Sequence, residues 1–172
     1  MAAKTYTSEE LSDWLEQKAL STNPVVARKT IVSVTDDERS KSTAMIGRLY
    51  FFKYDPKWKS KLIQYDRFPM CFPFKRTPDG FLGLNLHYLT VSERSSLIDS
   101  LMRFSNNDRM DESTKIEMNY DILQSTYGLK SLSQPCIHRY IFNHCKSRFI
   151  EIYSYEYDKA IQLPVKDWVF KR

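Results

Sequence analysis

Apolar residues change their spacing several times along this chain, and each change marks a predicted element. Near the start, Leu11, Trp14 and Leu15 recur at helical spacing behind Thr7-Ser8-Glu9-Glu10. That tetrapeptide is a capping box: the Thr7 hydroxyl can accept from the Glu10 amide while the Glu10 side chain reaches back. The pattern predicts a short helix from Ser8 to Leu20, stopped before Asn23-Pro24. The next twenty residues are polar apart from Val25-Val26 and Ile31-Val32-Ser33-Val34. Residues 1–44 therefore read as an N-terminal arm, with Leu11, Trp14 and Leu15 as its docking stripe, and residues 45–172 as a single domain.

From Arg48 the pattern turns to strands. Arg48-Leu-Tyr-Phe-Phe-Lys-Tyr54 is enriched in aromatics and ends at Asp55-Pro56. Met70 to Arg76 reads as a second strand, which Pro69 and Pro73 push to a sheet edge or a bulge. Thr77-Pro78-Asp79-Gly80 is a turn, with proline at its second position and glycine at its fourth. Phe81 to Tyr88 follows as a third strand, with Leu82, Leu84, Leu86 and Tyr88 facing the core and Phe81, Gly83, Asn85 and His87 facing away.

After Thr90 the period becomes helical. Thr90-Val-Ser-Glu93 starts a helix whose buried stripe is Leu97, Ile98, Leu101, Met102 and Phe104, ended by Asn106-Asn107. A second helix is expected over 114–127, with Gly128 past its end, and a third from Pro135 to Phe149 with Ile137, Tyr140, Ile141 and Cys145 inward. Lys159 to Phe170 suggests a fourth strand returning to the sheet. The fold class is α+β: a small antiparallel sheet packed against about three helices, with the helical and extended arm in front.

Charge sharpens this picture. The net charge is +5, but residues 47–76 alone hold eight basic side chains against Asp55 and Asp66. Lys53, Lys57, Lys59, Lys61, Arg67, Lys75 and Arg76 interleave with Tyr54, Trp58, Tyr65 and Phe68. Phosphates attract such lysines and unpaired bases stack on such rings. The same mixture suits an acidic protein neighbour, and docking onto protein is the preferred expectation. The three cysteines, widely spaced and odd in number, suggest free thiols in a reducing compartment rather than a disulfide framework. No apolar run approaches the roughly 18 residues of a membrane-spanning helix, so no membrane partner is expected. The N-terminal residues show no apolar secretory segment either.

Candidate catalytic chemistry is thin. Cys136, His138, His144 and Cys145 are metal-ligand types, but four ligands from one straight helix cannot close around an ion, so no metal is expected. Asp55, Asp66 and Asp79 are each explained by a break, a loop or a turn. No nucleophile elbow, HExxH or phosphate-loop spacing occurs. The expectation is no enzymatic activity, no cofactor and no small-molecule substrate.

Gly47-Arg-Leu-Tyr-Phe-Phe-Lys-Tyr-Asp-Pro-Lys57, then Tyr65-Asp-Arg-Phe-Pro69, then Asp79-Gly-Phe-Leu-Gly-Leu-Asn-Leu-His-Tyr-Leu89 resembles a family of small proteins of large contractile-tailed bacteriophages. Arg94-Ser-Ser-Leu-Ile-Asp-Ser-Leu-Met102, the segment from Pro135 to Phe149 and Ile161-Gln-Leu-Pro164 fit the same family. The likeness runs from about Met45 to Leu163, and residues 1–44 depart from it. It carries over no catalytic residue. It implies a structural or assembly component of the virion at the tail, baseplate or neck, assembled in the host cytoplasm beside other virion proteins. The alternative is a DNA-associated phage protein whose surface is Lys53, Lys57, Trp58, Lys59, Lys61, Arg67, Lys75 and Arg76.

Overall fold

A computed structural model describes residues 40–105, 109–111, 114, 121–122, 136–162 and 169–171. The predicted helix at 8–20 and the stripe Leu11, Trp14 and Leu15 lie outside them, as does most of the helix expected at 114–127. The fold is α+β. Strands β1 (Ser40–Lys41), β2 (Leu49–Phe51), β4 (Met70–Thr77), β5 (Gly80–Asn85), β6 (Ile137–Ile141) and β7 (Phe149–Ile152) form one sheet in the order β1-β7-β2-β4-β5-β6. Every pairing in it is antiparallel. A separate two-stranded ribbon joins β3 (Gln64–Asp66) to β8 (Val169–Lys171).

The aromatic block and the hairpin form as the sequence suggests. Thr77 pairs with Gly80 across Pro78-Asp79, linking β4 to β5. Gly80 is required by space: a Cβ there would sit 1.8 Å from the Tyr140 carbonyl oxygen of β6. Helix α1 (Val91–Ser105) starts on a capping box in which Glu93 N–H donates to Thr90 Oγ1 at 3.2 Å and Thr90 N–H donates to Glu93 Oε2 at 2.7 Å. Leu97, Ile98 and Leu101 are buried and Met102 packs beside them, on the predicted stripe.

Three expectations need correction, and a fourth resolves between its alternatives. The helix expected from Pro135 to Phe149 is absent over its described residues, 136–149, which give β6, a short 3₁₀ turn at Phe142–His144, and the start of β7. Of the two alternatives expected for β4, an edge or a bulge, the structure has the bulge: the strand is interior, between β2 and β5, and its register slips between Pro73 and Lys75. The slip is a bulge that spares the ladder the N–H that Pro73 lacks, and the Pro73 carbonyl accepts from Gly47 N–H at 2.9 Å. Lys159 to Ile161 belongs to a short helix, α2 (Tyr157–Ile161), and the strand beyond it, β8, pairs with β3 instead of the main sheet. Finally, the third strand ends at Asn85, and Phe81, Asn85 and His87 are as buried as Leu84 and Leu86.

That last correction follows from a sheet covered on both faces. One face carries Leu49, Phe51, Phe72, Leu84, Ile150 and Ile152 against α1 and α2. The other carries a ring cluster of Tyr50, Phe52, Tyr54, Phe81, Tyr140 and Phe149. Its rings meet edge to face, with centroids 4.9 Å apart for Phe52 and Phe149 and 5.0 Å for Tyr54 and Tyr140, a geometry that aligns ring edges with ring faces. Among the described residues no helix is long and apolar enough to cross a membrane.

Candidate nucleic-acid interface

Between β2 and β3 the chain makes an excursion that builds one wall of a cleft. Its root is pinned: Tyr54 N–H donates to the Arg67 carbonyl and Asp55 N–H to the His144 carbonyl, each at 2.9 Å. Lys61 N–H and Leu62 N–H then donate to the Trp58 carbonyl at 2.8 and 3.1 Å, winding residues 56–62 into a tight turn. The turn leaves Trp58 55% exposed, with the Lys57 and Lys61 ammonium groups 5.4 and 5.0 Å from its ring centroid. Both distances are within cation–π range.

The other wall is β6. His138, Arg139, Tyr140 and Ile141 line the cleft with Tyr54, Pro56, Trp58, Tyr65 and Tyr88, enclosing about 500 Å³. His138 lies against Tyr88, ring centroids 4.4 Å apart and planes 35° from parallel. At the rim Arg139 donates to Asp79 Oδ1 at 2.6 Å, and this holds the Asp79 carboxyl below the usual carboxylate range. Lys59 donates to Asp55 Oδ1 at 2.8 Å and lowers that carboxyl likewise.

Beneath the cleft lies a buried polar network. Asp66 Oδ1 accepts from Phe68 N–H at 2.8 Å, and Oδ2 accepts from Asn85 Nδ2 at 3.0 Å and meets His87 Nδ1. Asn85 Nδ2 also donates to the Tyr140 hydroxyl at 3.0 Å, while Asn85 Oδ1 accepts from His87 N–H at 2.9 Å. The donors Phe68 N–H and Asn85 Nδ2 offset the cost of burying the Asp66 side chain. The expectation of Asp66 as a loop residue therefore gives way to a network anchor. The His87 side chain is fully enclosed, so no bound molecule reaches it. Burial pushes the Tyr140 phenol well above its ordinary pKa, so it keeps its proton at neutral pH.

The predicted surface is only partly assembled. Lys57 and Trp58 line the cleft and Lys61 stands over Trp58. Lys59 is held by Asp55. Lys53 contributes its backbone to the Ser147 hydroxyl and the Lys146 amide. Lys75 and Arg67 are exposed outside the cleft lining. Arg76 lines a separate recess, donating to the Ala44 carbonyl at 2.7 Å and lying over Phe142. The residues that the sequence reading missed are Tyr88, His138, Arg139 and Tyr140. The strand-forming residues Ile137, Tyr140 and Ile141 around them were the available signal.

The four metal-ligand candidates do not converge. Cys136 sits in the helix-side core, His138 on Tyr88, His144 on the Asp55 carbonyl and Cys145 beside the Ile141 carbonyl. Among the described residues no group of three or more His, Cys, Asp or Glu is placed to hold a metal. All three cysteines are free, and burial pushes Cys136 up to about 11 and Cys145 up to about 12.

A sequence profile described as phage T4 terminal DNA protecting protein matches residues 19–172. The chain belongs to this family. It is a bacteriophage protein, in keeping with the resemblance to proteins of contractile-tailed phages, and the match takes in much of the arm as well as the domain. No curated protein and no solved structure matches it.

Proposed function

We propose that the protein is a DNA-associated phage protein that engages the ends of the genome and acts by binding, without catalysing a reaction. The observation that carries this reading is the cleft: an exposed Trp58 flanked by Lys57 and Lys61, opening onto a further wall of aromatic side chains. Ammonium groups answer phosphates and release their counterions, and ring faces answer unpaired bases. The family's description, terminal DNA protection, points to the same chemistry. It favours DNA over a protein neighbour in a tail, baseplate or neck as the principal partner. Its place is with the DNA ends, in the host cytoplasm during assembly and in the virion afterwards.

The test is titration of the full chain against two labelled DNAs of equal length and sequence, one a hairpin with one open end and one a closed dumbbell. The open end should bind more tightly, with an affinity that falls steeply as salt rises. Equal affinity for both would remove the end-binding reading, and no affinity for either would return the surface to a protein partner.

A further inference from the structure

We infer that the cleft captures a single terminal nucleobase in unpaired form, so that the protein holds a DNA end by taking the last base out of its pair. This rests on the DNA-end reading and adds what the end must do to be bound. At about 500 Å³ the cleft has room for one nucleotide and none for a duplex.

Its chemistry is that of a base site. Trp58 supplies an exposed ring face for stacking. Tyr88, a buried residue that lines the cleft, makes no side-chain hydrogen bond to the described residues. The Tyr140 hydroxyl is already engaged in the buried network, where it accepts from Asn85. Burial keeps the Tyr88 phenol protonated, so it is a donor toward a base edge, which always offers ring-nitrogen or carbonyl acceptors. The Gln64 amide, also in the lining, provides both a donor and an acceptor.

The two carboxylates in the lining do not oppose this. Asp66 already accepts from Phe68 N–H and Asn85 Nδ2, and Asp79 is held by Arg139. Lys57 and Lys61 remain beside Trp58, where the phosphate next to a stacked base would lie. A terminal pair is the natural source of the base. Extraction costs unpairing and unstacking energy, and the cost is lowest where the base has no neighbour on one side. With its last base enclosed between Trp58 and β6, a strand end is withheld from an exonuclease.

The experiment compares three DNAs with the full-length protein: a one-ended hairpin with a paired terminus, the same hairpin with a terminal mismatch, and the closed dumbbell. The mismatched end, already unpaired, should bind about tenfold more tightly than the paired end. Trp58→Ala and Tyr88→Phe should each shrink that ratio toward one; the first changes an exposed side chain and the second removes one oxygen. If the open end beats the dumbbell but the mismatch brings no gain, base capture is refuted and end binding stands. A gain that persists undiminished in both variants also refutes capture in this cleft. If the dumbbell binds as well as open DNA, both readings fall.

Discussion

Charge removal in the lysine turn separates free cations from committed ones. Lys57 and Lys61 have no carboxylate partner among the described residues and lie over Trp58, whereas Lys59 already donates to Asp55 at 2.8 Å. An exposed pair of this kind stabilises the fold by only about 0–1 kcal/mol, yet it must be broken before Lys59 can neutralise a phosphate. Each neutralised phosphate adds about 0.9 to the slope of log affinity against log salt. The double change Lys57→Gln with Lys61→Gln should therefore flatten that slope by about two units. Over a fourfold rise in salt, the wild type should then lose about tenfold more affinity than the double variant. Lys59→Gln alone should flatten it by clearly less than one unit. The assay is fluorescence anisotropy on a one-ended hairpin at several sodium chloride concentrations, with circular dichroism to check folding. An unchanged slope in the double variant, or an equal effect from Lys59→Gln, would refute the assignment.

Three further outcomes are expected. Asp79→Asn frees Arg139 and removes a negative charge from the rim, so DNA affinity should rise; because the Asp79 carboxyl is depressed in the folded state, its contribution is present above the ordinary carboxylate range and lost as pH falls through its lowered value, and the melting temperature of the variant should fall less steeply in acid than that of the wild type. Leu84→Ala, at a fully buried site paired with Phe72 and Ile137, should cost about 2–5 kcal/mol in denaturant titration, and a loss below about 1 kcal/mol would reject its place in the core. Gly80→Ala must displace the β6 backbone by the Tyr140 carbonyl, so it should destabilise by about 1–3 kcal/mol or more; a neutral result would mean β5 and β6 are not so closely paired.

Local chemistry alone decided several parts of this protein. The Thr90–Glu93 capping box and the stripe Leu97, Ile98 and Leu101 specify α1 within fifteen residues. Pro78-Asp79 between two aromatic runs specifies the hairpin, and the density of lysine about Trp58 marks one wall of the cleft. The other wall was decided by tertiary structure. In Cys136 to Cys145 the apolar residues Ile137, Tyr140 and Ile141 suit a helical period, and they suit equally a strand with apolar side chains on both faces. Only pairing with β5, and the ring cluster on the face away from α1, selects the strand. The same pairing brings His138, Arg139 and Tyr140 to Trp58 across about eighty residues of chain, where Asp66 and Asn85 fix the floor. Hydrophobic period records which residues are buried, not which strand lies alongside, so half of this cleft exists only once the sheet has closed.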